Sequence, residues 1–82
     1  MTKDLERSSF IRSSKQLGNA LKQIRKKRGY SQNELAKLTG LRQAGISLLE
    51  QGAKGIRLES LFKIMAALEI EITLDRRAKL PW

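Results

Sequence analysis

The sequence contains no cysteine and no histidine, and it has a single proline and few aromatic residues. Without thiols or imidazoles the chain cannot form disulfides, and it lacks the usual zinc ligands and the commonest side-chain base. Long apolar runs are also absent, since nothing approaches the roughly 18 apolar residues of a membrane span. Residues 1–7 show no apolar stretch of a signal peptide. We therefore expect a cytoplasmic, non-enzymatic protein without metal or cofactor, whose partners include neither a membrane nor a small-molecule substrate.

The charge of the chain is strongly positive and unevenly distributed. Its 82 residues are enough for one small domain, and they carry 17 Lys and Arg against 8 Asp and Glu, a net charge of +9. Residues 1–30 hold nine of the basic groups and only two of the acidic ones. An excess of this size in so short a chain points to an anionic partner, with nucleic acid the first candidate.

The spacing of apolar residues predicts an all-α fold of four helices, over about 15–28, 31–39, 43–51 and 58–68. Ser13 with Gln16, and Ser31 with Glu34, match the capping box that begins a helix. On the last helix Leu58, Leu61, Phe62, Met65 and Leu68 are in phase. The predicted core consists of Leu17, Leu21, Ile24, Leu35, Ile46, Leu49, Leu61 and Met65.

The pattern changes after the last helix, where apolar and polar residues alternate. Ile70, Ile72 and Leu74 fall on one face of a predicted strand, for which no partner is evident in the chain. We expect it to pair with the same strand of a second copy across a two-fold axis, although a strand that closes the monomer is the alternative. The predicted organisation is a flexible arm (1–13), a helical DNA-binding domain (14–69), the dimerisation strand (70–74) and a mobile tail (75–82).

Two of the predicted helices form a recognisable unit. The helices 31–39 and 43–51 are joined by a short turn that contains Gly40, which is the arrangement of a helix-turn-helix. In that motif the first helix crosses the DNA backbone and the start of the second helix meets base edges in the major groove. The segments 30–36, 40–47 and 50–52 resemble the helix-turn-helix of the Xre family of phage-repressor-like regulators, which implies a four- to five-helix domain.

A closer resemblance covers most of the chain. Residues 16–20, residues 62–64, the strand 70–74 and the terminal Trp82 are similar to antitoxins of the HipB family. That resemblance implies a homodimer that binds a palindromic operator in double-stranded DNA, represses its own transcription in the nucleoid and neutralises a HipA-like toxin kinase. It also implies that Trp82 contacts the toxin, where the alternative is an ordinary mobile chain end.

The Xre resemblance assigns roles in DNA binding to the start of the second motif helix. The Gln43 amide can pair with adenine, whereas Arg42 can meet a guanine or a phosphate. Ala44 can touch a thymine methyl group, and Leu48 can do the same or face the core. Gly45 and Leu48 depart from the family pattern, which often has longer polar or hydroxyl side chains there. We therefore expect part of the specificity to come from DNA shape. The expected phosphate contacts are Gln32, Ser47, Lys54, Lys26 and Lys27.

Arg25 and Glu50 receive a structural role instead. In the Xre family these two positions form an ion pair that joins the first and third helices.

Two other functions remain open at this point. One is a prophage or metabolic regulator that binds DNA without a toxin partner. The other is a basic adaptor or membrane-surface protein, because the first helix is both basic and amphipathic.

Overall fold

Four α-helices make up most of residues 10–76, which are the part of the chain that the computed structural model describes. They are α1 (Ser14–Lys27), α2 (Gln32–Thr39), α3 (Gln43–Glu50) and α4 (Leu58–Leu68). Each begins and ends within one residue of its predicted bounds, so the predicted all-α helix-turn-helix fold is confirmed. The predicted toxin contact Trp82 lies outside the described residues.

Serine caps fix the first residues of α1 and α2. The Ser13 hydroxyl accepts a hydrogen bond from the Gln16 backbone N–H at 3.0 Å, but the Gln16 side chain turns to the Arg12 backbone N–H, so only half of that capping box forms. At α2 both halves form. The Ser31 hydroxyl accepts from the Glu34 N–H at 3.0 Å, and the Glu34 carboxylate accepts from the Ser31 N–H at 2.8 Å.

A three-residue turn joins α2 to α3. Gly40 ends α2 in the left-handed conformation, with φ at 75°, and its N–H donates to the Ala36 carbonyl at 2.9 Å. A residue with a Cβ is unfavourable in that conformation, so glycine permits the chain to reverse here. The Thr39 hydroxyl accepts from the Leu41 N–H at 3.2 Å and further ties the turn. As a result α3 packs against both α1 and α2.

The core lies where the four helices meet. Its members are Leu21, Leu35, Ile46, Leu49, Leu61, Ile64, Met65 and Leu68. The prediction was wrong in detail at Leu17 and Ile24, which are only partly buried at the edge of this cluster. Leu58 and Phe62 share the apolar phase of α4 but are 69% and 56% exposed. The apolar stripe of α4 is therefore wider than the surface that the other described residues cover.

The segment that follows α4 has no strand partner among residues 10–76. Ile70 packs at the edge of the core and donates its N–H to the Met65 carbonyl at 3.0 Å. Ile72 and Leu74 are exposed, and residues 71–76 form no strand with the described part of the chain. Pairing with a second copy stays a prediction.

Candidate nucleic-acid interface

Four consecutive exposed residues, 42–45, lie at the start of α3. Arg42 precedes the helix without capping it through its side chain, and Gln43 and Ala44 begin it. The opposite side of α3 is held in the core by Ile46 and Leu49. Because one face is fixed in the core, the first turn of α3 projects outward as a rigid element.

The Gln43 side chain is held by a side chain of α2. Its Nε2 donates to Gln32 Oε1 at 2.5 Å, and Gln32 Nε2 in turn donates to Glu50 Oε1 at 2.9 Å. Gln32 and Gln43 are each the first residue of a helix, and the turn between α2 and α3 brings these two helix starts together. A hydrogen bond at this position restricts the rotamers of Gln43 before any ligand is present.

A buried ion pair anchors the same chain of hydrogen bonds in α1. Arg25 and Glu50 are 6% and 7% exposed, and two contacts join them, Nε to Oε2 at 2.6 Å and Nη2 to Oε1 at 3.1 Å. Arg25 Nη1 also donates to the Tyr30 carbonyl at 2.8 Å. Removing one partner would leave a buried charge uncompensated, at a cost of about 3–5 kcal/mol.

The four side chains form a continuous path from the interior to the surface. It runs from Arg25 through Glu50 and Gln32 to Gln43 and involves α1, α2 and α3. The hydrogen bond between Gln32 and Gln43 could not be predicted from the sequence, because the two residues are 11 positions apart and no local pattern indicates their contact. Its only trace in the sequence is that both glutamines lie at the start of a predicted helix, within its first two positions.

The remaining candidate DNA contacts lie on α3, in the turn after it and at the end of α1. Leu48 is 50% exposed, which excludes the alternative that it faces the core. The Ser47 hydroxyl is half-buried and accepts from Gln51 Nε2 at 3.0 Å. Lys54 is exposed in the turn between α3 and α4, and Lys26 and Lys27 are exposed in the last turn of α1.

Two acidic groups near the candidate interface have structural roles. Glu34 belongs to the α2 cap and Glu50 to the ion pair. The Ser31 backbone N–H, and then its side chain, hold the pKa of Glu34 below its ordinary value. Between residues 10 and 76 no three His, Cys, Asp or Glu residues come together as metal ligands would. Nor does this part of the chain have a helix whose length and apolar character would suit a membrane span.

Comparison with known proteins agrees with this geometry. The helix-turn-helix family matches residues 21–74. The antitoxin HipB of Escherichia coli O6:H1 is 41% identical over 73 residues, which are 89% of this chain and 78% of that relative. The HipB chain of the HipB–O4 20mer complex superposes with a TM-score of 0.78 at 42% identity, over 88% of this chain and 100% of that one. The HipA–HipB–O2–O3 complex gives a TM-score of 0.78 at 40% identity, over 84% and 97%. The chain therefore belongs to the helix-turn-helix family and, within it, to the HipB antitoxins.

Proposed function

We propose that the chain is a sequence-specific DNA-binding autorepressor and the antitoxin of a HipA-like kinase. The observation that carries the proposal is the exposed start of α3, where Gln43 is held in place by Gln32. The relatives support it, because HipB has been solved with the O4 20mer and, together with HipA, with O2–O3. Such a protein acts in the cytoplasm at the nucleoid, and its role includes no catalytic step.

Gln43 has the groups that adenine recognition needs. One N–H of its amide donates to Gln32, which leaves a second N–H and the carbonyl oxygen for a ligand. In the major groove adenine presents N7 as an acceptor and the N6 amino group as a donor, and an amide can contact both at once. Because Gln32 already fixes the amide, less rotamer entropy is lost on binding. Arg42, immediately before Gln43, is the second polar side chain that we assign to base contacts.

Positive charge and helix geometry supply the phosphate contacts. Gln32 begins α2, where backbone N–H groups point outward at the positive end of the helix dipole. Cationic side chains contribute a sequence-independent attraction that weakens with salt. The side chains that we assign to the phosphates are Gln32, Ser47, Lys54, Lys26 and Lys27.

The role of Gln43 can be tested by comparing two variants on selected and on unselected DNA. We expect Gln43→Ala to weaken the binding free energy by about 1–3 kcal/mol on a duplex that the full chain selects from a random DNA library. On unselected DNA the loss should be much smaller. Gln23→Ala is the matched control, because Gln23 is an exposed glutamine on α1. Binding is measured by fluorescence anisotropy at one salt concentration. Equal losses of Gln43→Ala on both kinds of DNA would show that Gln43 reads no base.

We propose that the DNA-binding form is a homodimer. Leu58 and Phe62 on α4, with Ile72 and Leu74 beyond it, are large apolar side chains exposed in the single chain. A second copy could cover them and pair with the strand 70–74 across a two-fold axis. Two α3 helices related in this way would enter successive major grooves about 34 Å apart, which predicts a palindromic operator.

The kinase contact is assigned to the tail. The proposal rests on Trp82, since a terminal aromatic side chain can anchor a chain end in a pocket of its partner. We expect deletion of residues 81–82 to leave affinity for the selected duplex unchanged. Where the neighbouring gene encodes a HipA-like kinase, the deletion should weaken binding to that kinase. Both affinities can be measured by calorimetry on the same preparation. Unchanged affinity for the kinase would remove Trp82 from the contact, and the absence of such a gene would favour a regulator without a toxin.

A further inference from the structure

A groove lies between the start of α1, the end of α3 and the start of α4, and its volume is about 350 Å³. Its charged residues are Lys54 and Arg57, which are both exposed and take part in no ion pair within residues 10–76. The groove therefore combines an apolar lining with two cationic groups that have no acidic partner in the described part of the chain. The apolar residues that line it are Leu17, Leu49, Ala53, Ile56, Leu58 and Leu61.

The chain enters α1 beside this groove. Ser14, the first residue of α1, lines the groove, and its hydroxyl donates a hydrogen bond to the Gly52 carbonyl at 3.2 Å. A Cβ placed on Gly52 would lie 2.5 Å from the Cα of Lys15, so the turn after α3 packs directly on the backbone of α1. The residues that precede α1 are therefore tethered at the edge of the groove.

The sequence before α1 contains a segment whose chemistry matches the groove. Asp4 and Glu6 are the only acidic residues among the first 30, and Leu5 stands between them. An apolar side chain with a carboxylate on either side complements an apolar lining with two cationic groups. Leu5 is nine positions before Ser14, and nine extended residues span up to about 30 Å. This length allows the segment to double back onto the groove of its own chain.

We propose that residues 4–6 occupy this groove in the DNA-free chain and restrain DNA binding. The inference rests on the proposed function, in which Lys54 contacts a phosphate. Leu5 is removed from water by the apolar lining, and the two carboxylates lie beside the two cationic groups. DNA must displace these carboxylates before Lys54 can reach a phosphate. Because a short tether gives an effective concentration in about the millimolar range, a weak contact is enough to fill the groove.

A spin label tests the contact directly. The chain has no cysteine, so Thr2→Cys provides a single attachment site for the label. The labelled chain is enriched in a nitrogen isotope and diluted with an excess of unlabelled chain, so that only contacts within one molecule are detected by nuclear magnetic resonance. We expect the label to broaden the backbone N–H signals of residues 53–58, and Leu5→Ser to abolish this broadening.

Two results of this experiment would contradict the contact. One is that the signals of residues 53–58 are as sharp as in the unlabelled chain, or that they stay broad in Leu5→Ser. The other is that broadening appears only when the spin label and the isotope are on different molecules. The occupant would then be a second copy, and the inference would be overturned.

DNA affinity tests the restraint. We expect Leu5→Ser to bind selected and unselected duplexes about 3- to 10-fold more tightly than the wild type at one salt concentration. Deletion of residues 2–9 should give the same gain, and it removes two basic and two acidic groups, so the net charge stays at +9. Phe10→Ser is the matched control, because Phe10 also precedes α1 but is 81% exposed. Its affinity for DNA should equal that of the wild type.

The outcomes separate this inference from the proposed function. If Leu5→Ser binds the selected duplex no more tightly than the wild type, the inference is overturned and the proposed function stands. If the chain selects no sequence at all, the proposed function fails. In that case a gain of Leu5→Ser on unselected DNA still supports the restraint, and the absence of a gain overturns it.

Discussion

Two glycines lie inside the described helices. One is packed against the backbone of a neighbouring helix and the other is exposed. Gly18 in α1 is buried where α1 crosses the end of α3. A Cβ at this position would overlap the Leu49 carbonyl oxygen and lie 2.7 Å from that of Glu50. Gly45 in α3 is exposed, and a Cβ there would meet nothing within 4 Å. The first glycine sets how closely two helices approach, whereas the second is a helix position that could hold a side chain.

The same substitution at these two positions should therefore change stability in opposite directions. Gly18→Ala should lower the free energy of unfolding by about 1–3 kcal/mol, because α1 must move away from α3. Gly45→Ala should raise it by up to about 1 kcal/mol, the helix propensity difference between the residues. Urea denaturation followed by circular dichroism measures both values. A Gly18→Ala variant as stable as the wild type would mean that α1 and α3 do not pack this closely.

At the scale of a single element, the cap of α2 links folding to pH. The Glu34 carboxylate accepts the Ser31 backbone N–H at 2.8 Å, in the first turn of a helix whose positive dipole end also favours a negative charge. This hydrogen bond lowers the pKa of Glu34 from its ordinary value of 4.5. A carboxylate whose pKa is lower in the folded chain than in the unfolded chain stabilises the fold only while it is ionised.

We expect the stabilisation from Glu34 to be fully present at pH 7 and to disappear as the pH falls below 4.5 through the lowered pKa of the folded state. Glu34→Gln retains an oxygen acceptor but cannot ionise, so it should be less stable than the wild type at pH 7 and nearly as stable at pH 3. The free energy of unfolding of both proteins is measured in urea at the two pH values. Because both proteins contain the same other acidic groups, the pH dependence of their difference reports on Glu34 alone. A stability difference that does not change with pH would contradict the linkage.

At the scale of the whole molecule, the described part of one chain leaves apolar surface exposed. Phe62 and Leu74 are 56% and 93% exposed, and the segment beyond α4 forms no strand within the described residues. A small domain with no disulfides gains stability from a partner that covers such surface. The proposed homodimer would cover it and would also set the distance between two α3 helices. Oligomeric state and DNA recognition would then depend on the same contact.

A charge placed on this surface should separate the copies. We expect Phe62→Asp to raise the dimer dissociation constant about 100-fold or more. In a two-fold symmetric interface the substitution is present in both copies, so the apolar burial of Phe62 is lost twice. Leu38→Asp is the control, since Leu38 is 57% exposed and lies on α2. Sedimentation equilibrium across a concentration series gives both constants. If Phe62→Asp remained as dimeric as Leu38→Asp, the copies would have to associate through another surface.

The helices could be predicted from the sequence because their signals are local. A serine cap, an apolar period and a following glycine lie within a few residues of one another, so α1 to α4 begin and end close to where the pattern indicates. The family resemblance also pointed to Arg25 and Glu50 as a pair. Gln43 was identified from its position in the motif and from the chemistry of its amide.

Tertiary structure decided the features that depend on how the helices pack. The hydrogen bond from Gln43 to Gln32, the close crossing at Gly18 and the outward direction of Leu48 all require a defined angle between helices. Periodicity shows that a residue lies on the apolar face of its helix, but not how much of that face the rest of the chain covers. The sequence by itself therefore determined the elements and the motif, while packing decided which side chains are held at the surface to meet a partner.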